Sequence, residues 1–395
     1  MNSEILKGVR ILDFSRILAG PYATRMLADF GAEVIKVQSH KTANGAESNT
    51  GKYFSTWNRN KRSITLDLSF PEARELALRL VSICDVVVEN FSPRVMANWG
   101  LNYNELKQTR PELIMLSMSG MGQTGPWQNY TAFGSTVQAL GGLTSLTAYD
   151  RDNPMGSGYA HADVIAGLYG AFVILAALDY RDRTGLGRHI DLSEYEAVCT
   201  LMGTSLLEVS ANHPEPAPGG NKSAYAAAAP HGCYKCLGED SWCVVAVFSE
   251  AEWQALVQVL GNPDWAQKNR FAYMENRLAH VEELDRNLNQ WTSKRDAQEV
   301  VALLQAAGVP AGTVQSAEDL AHDPHLQQRD WFVRLQHPVL GETVADGSPI
   351  RLSPGATSDW KPSPLLGEAN RYVYMDLLRL SEQEFSTYVE KGIIA

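Results

Sequence analysis

Strand-like runs that alternate with helix-like ones constrain this chain more than any other feature. Val9-Arg-Ile-Leu-Asp-Phe14 reads as a short buried strand, and about Tyr22 to Phe30 as a helix stopped by Gly31. Glu33-Val-Ile-Lys-Val37 is the next strand. A β-α-β unit of this kind calls for a parallel sheet with a right-handed crossover. Further strands are expected at Ser63–Leu68, Asp85–Asn90, Leu113–Ser117 and Arg188–Leu192. Ser69-Phe-Pro-Glu72 has the form of a capping box opening a helix to about Cys84, and residues 38–60 read as a long polar loop. The fold is therefore expected to be α/β, with ligands near the carboxyl ends of the strands. That directs attention to the loops beginning at Ser15 and Asn90. The first of these, Ser15 to Pro21, lacks the spaced glycines of a dinucleotide site.

From Val164 to Leu178 there is no charge and no proline, and one carboxylate, Asp163, stands directly before the run. The run suits a core helix and falls short of the ~18 to 20 apolar residues of a membrane span. At the start of that helix the unpaired N–H groups and the helix dipole favour a negative charge. Two readings follow for Asp163: an N-cap, or an ionised nucleophile. His161, two residues earlier, reads as its local hydrogen-bonding partner or as a base.

Gly120-Met-Gly-Gln-Thr-Gly125 matches the G-x-G-x-x-G pattern, but Pro126-Trp127 follows and no helix opens at the second glycine. A loop over the active site suits it better than nicotinamide binding. Ser193-Glu-Tyr-Glu196 is a second capping-box pattern, opening a helix to about Ser210. The proline- and glycine-rich Asn212–Asn221 is the best domain boundary. Beyond it come a hairpin from Cys233 to Phe248, helices near 250–260, 280–292 and 297–307, and a strand at 309–314. A last helix is expected near Ser381–Lys391.

Cys233-Tyr-Lys-Cys236 has no second cysteine pair to complete a zinc site and lies in an expected strand, so its cysteines read as structural and no metal is expected. Five cysteines in 395 residues are not a disulfide framework. A net charge of −11 argues against broad binding to nucleic acid or anionic membrane. Glu4, Lys7, Arg10 and Asp13 stand where an export signal needs an apolar core, so a cytoplasmic enzyme is the expectation.

Leu18-Ala-Gly-Pro21, Gly31–Val37, Asn60-Lys-Arg-Ser63, Leu66-Asp-Leu68 and Val88-Glu-Asn-Phe91 together resemble the class III CoA-transferases. Ser119–Pro126, Ala162-Asp163, Ile174–Leu178, Arg183–Arg188, Gly308–Gly312 and Pro364–Gly367 extend the resemblance nearly end to end. The family also contains the α-methylacyl-CoA racemases. The resemblance implies a Rossmann-like large domain of residues 1–211 and 326–395, a linker at 212–224, and a small α+β domain at 225–325. It further implies a homodimer of interlocked chains. Its substrates would be an acyl-CoA donor and a carboxylic acid acceptor, with no cofactor beyond coenzyme A itself.

By that resemblance Asp163 is the nucleophile, forming first an acyl anhydride and then a CoA thioester. Arg16, Ile17, Leu18, Leu66, Asn90, Phe91 and Arg94 would bind CoA, and Phe133, His161, Tyr225 and His231 would shape the acyl pocket. Ser39 and Asn98 stand where the family carries basic residues, and Arg94 or Arg16 is expected to supply the phosphate contact. The glycine-rich flap of the family appears as Ser223–His231, rich in alanine, which with Leu18 disfavours formyl or oxalyl groups. The racemases pair the aspartate with a histidine that would fall at about Phe133, so transfer is favoured over racemisation. A CoA-binding protein without activity is the remaining alternative.

Overall fold

The computed structural model describes residues 5–150, 152–213, 218–223, 227–352 and 360–395. The chain forms two compact units, one of residues 1–144, 156–214 and 326–395 and one of residues 145–155 and 215–325.

In the first unit, β1 (Arg10–Asp13), β2 (Glu33–Gln38), β3 (Arg62–Thr65), β4 (Val86–Glu89), β5 (Ile114–Ser117) and β6 (Arg188–Asp191) form one sheet in the order β3-β2-β1-β4-β5-β6. Every neighbouring pair runs parallel. Successive strand residues point to opposite faces, and here the two faces feed separate cores. Leu12, Ile35, Ile64, Val87 and Met115 enter one; Ile11, Val34, Val86, Val88, Ile114 and Leu116 enter the other. Strands buried on both faces are what short Val/Ile/Leu runs without polar alternation specify.

The first core is covered by α3 (Pro71–Ser82) and α5 (Tyr103–Thr109), with Met96 of α4 (Arg94–Asn98), and by the chain's end, where Val373, Tyr374, Ile393 and Ile394 pack in. The second is covered by α1 (Ala19–Asp29) and by α8 (His161–Thr184). The two helices meet closely at Gly167, where an added Cβ would stand 2.9 Å from the Ala19 carbonyl oxygen. Between β5 and α8 lie α6 (Gly134–Leu140) and α7 (Leu143–Leu146); α9 (Glu194–Leu201) and α10 (Gly203–Asn212) follow β6.

Several expectations change. The polar stretch 38–60 is not all loop: it holds a 3-10 turn, Gly45–Glu47, and α2 (Lys52–Asn58), whose Phe54 and Trp57 are buried. Helix α1 begins at Ala19 and takes Pro21 into its first turn, where a missing N–H costs nothing. Ser69 does not cap α3, because Pro71 occupies the first helical position and makes Phe70 the cap. Ser193 does cap α9, but the helix breaks at Met202 instead of running to Ser210. The apolar helix α8 is 24 residues, long and apolar enough to cross a membrane by length and composition alone. It packs on the sheet with one face and leaves Leu168, Tyr169, Phe172 and Leu175 exposed on the other.

The second unit has an antiparallel sheet, β7 (His231–Lys235), β8 (Trp242–Ala246) and β9 (Ala311–Thr313), in that order. Helices α11 (Glu250–Val259), α12 (Met274–Ala279), α13 (Val281–Thr292) and α14 (Ala297–Ala306) accompany it. Cys236 and Cys243 are buried in its core with Trp253, Phe271 and Leu284, and all cysteines among the described residues are free thiols.

Candidate active site

The strand order turns back between β1 and β4, so the loops after these strands diverge and leave a crevice at their carboxyl ends. The two loops are tied across it. Asn90 accepts the Arg16 N–H at 2.7 Å and donates its amide to the Arg16 carbonyl at 2.8 Å. The Arg16 guanidinium lies 5.3 Å over the Phe91 ring, and burial draws its pKa down against the pull of Glu47. Glu89, at the end of β4, accepts the Phe91 N–H at 2.8 Å, and burial raises its pKa to about 7.

Ile17 sits in the left-handed region at φ 67°, an unfavourable place for a β-branched residue, with its side chain 41% exposed. Its N–H is held at 2.7 Å by the carboxylate of Glu47, a buried residue of the 3-10 turn. Strain of this kind persists only where the surroundings enforce it, and it concentrates at functional loops.

Beneath the loop, Asp13 is fully buried. It accepts bonds from the Ser15 N–H at 2.9 Å, the Thr24 hydroxyl at 2.7 Å and Lys61 at 3.1 Å, with Lys36 at 3.9 Å. Burial alone would raise its pKa, but the two ammonium groups and the hydroxyls of Ser15 and Thr24 outweigh it and hold Asp13 at about 2.

Asp163 is the third residue of α8, whose N-cap is Ala160 with no side-chain cap bond, so the capping role is not what the structure assigns it. The half-buried carboxyl has its pKa raised by burial, against the help of its own backbone N–H, instead of being held strongly ionised. Gly134, the first residue of α6, gives it room: a Cβ there would stand 2.3 Å from Asp163 Oδ2. Phe133, the residue before Gly134 and the N-cap of α6, is 68% exposed. The Tyr53 hydroxyl has its pKa raised first by burial and then by the Asp163 charge. Burial, followed by the same charge, pushes Glu194 up to about 8.

Leu18 and Leu66 are buried, Leu66 within the core beside β3. Arg94 is an exposed residue at the start of α4 and makes no ion pair with any described residue. His161 is exposed and bound to the Ser157 hydroxyl at 3.0 Å, a local bond, but to Ser157 and not to Asp163 as the sequence suggested. His231 opens β7 in the second unit and donates to the Asn221 carbonyl; Tyr225 lies outside the described residues. The glycine loop 120–125 is pinned by the Gln123 N–H to Asp191 at 2.9 Å. Among the described residues no group of three or more His, Cys, Asp or Glu is arranged to hold a metal.

Residues 6–370 match the sequence pattern of CoA-transferase family III. The chain belongs to that family. It is 35% identical over 398 residues to the succinyl-CoA–D-citramalate CoA-transferase of Chloroflexus aurantiacus, covering 98% of each chain. To the formyl-CoA:oxalate CoA-transferase of Afipia carboxidovorans it is 30% identical over 417 residues, covering 99% of this chain and 98% of that one. The crystal structure of a CAIB/BAIF family protein from Brucella suis superposes with a TM-score of 0.86 at 32% identity, over 95% of this chain and 100% of the other. The α/β architecture built on the parallel sheet is thus the family's own. Glu47, Tyr53, Gly134 and Glu194 were not singled out by sequence. Each acts on a residue distant in the chain, and none carries a motif.

Proposed function

We propose that this protein is a cytoplasmic CoA-transferase that moves CoA from an acyl-CoA donor to a carboxylic acid acceptor, with Asp163 as the nucleophile. An Asp163 oxygen adds to the thioester carbonyl, the C–S bond breaks, and CoA leaves as thiolate. The thiolate then attacks the Asp163 carbonyl carbon of the anhydride, the donor acid leaves as carboxylate, and CoA is left as a thioester on Asp163. An acceptor carboxylate repeats the two steps in reverse. Covalent catalysis divides one hard exchange into easier ones.

The observation that carries this reading is the placing of Asp163 in the first turn of α8, against a glycine that leaves its carboxyl free. Desolvation there withholds water from the nucleophile. Phe133, which precedes Gly134 in the chain, offers no proton, and this favours transfer over racemisation. The strained Ser15–Leu18 loop and Asn90-Phe91 are proposed to hold CoA, with Arg16 and Arg94 as the cations for its phosphates. Coenzyme A is the only cofactor this scheme needs. A homodimer is part of the proposal, since a second copy would cover the apolar strip of α8, where Phe172 is 69% exposed.

Peptide mass spectrometry after incubation with a panel of acyl-CoAs, succinyl-CoA first, and hydroxylamine trapping tests the scheme. Modification on the Asp163 peptide is expected and should vanish in Asp163→Ala. Binding of acyl-CoA with no modification at Asp163 would overturn it.

A further inference from the structure

The first turns of α8 and α9 bring a second carboxyl group to Asp163. Ser193 caps α9 by accepting the Glu196 N–H at 3.2 Å, and the Glu194 N–H is given to the Ser119 carbonyl at 3.2 Å. These bonds fix the start of α9 against the loop after β5. One turn further along the same face, Val198 packs with Val137 of α6 and with Ala162, the residue before Asp163. Glu194 therefore points into the corner between α6, α8 and α9 where the Asp163 carboxyl lies. It is only 7% exposed, and its carboxyl makes no hydrogen bond or ion pair with any described residue.

A buried carboxyl with no cation and no donor is held in its neutral form. The groups around it offer no alternative partner. From α8 the facing charge is Asp163, while His161 is exposed and tied to Ser157. Helix α6 carries no charged residue, and the strand-end residues Ser117 and Ser119 are neutral. Asp191 of β6 is occupied by the Gln123 N–H. On α9 itself the other titratable groups are Tyr195, Glu196 and Cys199.

We propose that Glu194 is a positioning residue for Asp163: the two carboxyl groups form a pair that keeps one proton and one negative charge, with the proton on Glu194. The consequence for turnover rests on the transferase reading above. In that scheme the reacting groups share a single negative charge, carried in turn by the Asp163 carboxylate, the CoA thiolate beside the anhydride, and the free acid beside the thioester. A protonated Glu194 leaves that total unchanged. An ionised Glu194 sets a second negative charge, poorly screened, against each of these anions in turn. The rise of the Glu194 pKa to about 8, by burial and then by Asp163, puts that loss on the alkaline side.

The test is the pH dependence of kcat and kcat/KM for wild type and Glu194→Gln, together with the infrared band of protonated carboxyl groups in the resting enzyme. Wild-type kcat is expected to fall roughly tenfold between pH 7 and pH 9, following the protonated fraction of Glu194. Glu194→Gln should lack that decline, and should lose one protonated-carboxyl band present in wild type at pH 7. Should Glu194→Gln not fold, Asp163→Asn gives the same information: removing the neighbouring charge lowers the pH at which the Glu194 band disappears. An alkaline decline that persists in Glu194→Gln, or a Glu194 band already absent at pH 7, overturns the pair. If hydroxylamine still traps Asp163 in that case, the transferase reading stands without it. If no acyl-CoA reacts but the band titrates as described, the pair stands and the transferase reading falls.

Discussion

Gly134→Ala separates chemistry from stability at one position. The added methyl would lie 2.3 Å from Asp163 Oδ2, against a closest tolerable approach of 3.0 Å, so the carboxylate must move by about 0.7 Å or more. Ala160 closes the other side, its Cβ 3.1 Å from the new atom, so the Asp163 side chain is the part that yields. The Gly134 backbone is not in the left-handed region, and it opens a helix, where alanine is favoured over glycine by up to about 1 kcal/mol. Folding should therefore be unharmed or slightly improved. A nucleophile displaced by near 1 Å can lose about a hundredfold in rate. We expect Gly134→Ala to melt at or above the wild-type temperature while kcat for a reactive donor–acceptor pair falls by roughly two orders of magnitude. Calorimetry and steady-state kinetics on one preparation decide it. A folded variant with activity within a few-fold of wild type would show that the carboxylate does not need the place this glycine leaves for it.

Two further substitutions address the crevice between β1 and β4. Holding Ile17 at φ 67° costs about 1–3 kcal/mol, and glycine gives up about 1 kcal/mol in chain entropy, so Ile17→Gly should leave the melting temperature unchanged or raise it by a few degrees; a fall of several degrees would mean that Ile17 packs more than it strains. Lys61→Met removes a fully buried partner from Asp13 and leaves Lys36 at 3.9 Å as its remaining cation, so denaturant unfolding should show a loss of about 3 kcal/mol or more, and a change below about 1 kcal/mol would refute the account of the cluster.

What sequence revealed and what it hid follow from how far each contact reaches. The sheet was legible because its information is local: Ile11 and Leu12 feed two different cores by simple alternation. The place of Asp163 in the first turn of α8 was legible because a lone charge at the edge of a long apolar run is a local pattern too. The Asp163–Gly134 contact, by contrast, and the 2.7 Å bond from Ile17 to Glu47 join residues about thirty apart, and no spacing rule announces them. Helix α2 was missed since only Phe54 and Trp57 of its seven residues are apolar and buried enough to signal it.

The Ser-x-x-Glu patterns at Ser69 and Ser193 make the same point from the other direction. Both look like helix starts, yet of these two only Ser193 caps, as Ser249 and Ser381 do at the same pattern elsewhere. At Ser69 the fixed φ of Pro71 shifts the helix start by one residue, and the Ser69 N–H turns to Asp67 at 3.0 Å. The pattern that held is also the one that matters to the site. Ser193 sets the start of α9, and the residue directly after a cap is committed to the first turn whatever its charge. That is how a glutamate comes to be buried next to the proposed nucleophile: the cap fixes the turn, Val198 fixes the face, and Glu194 is left only 7% exposed.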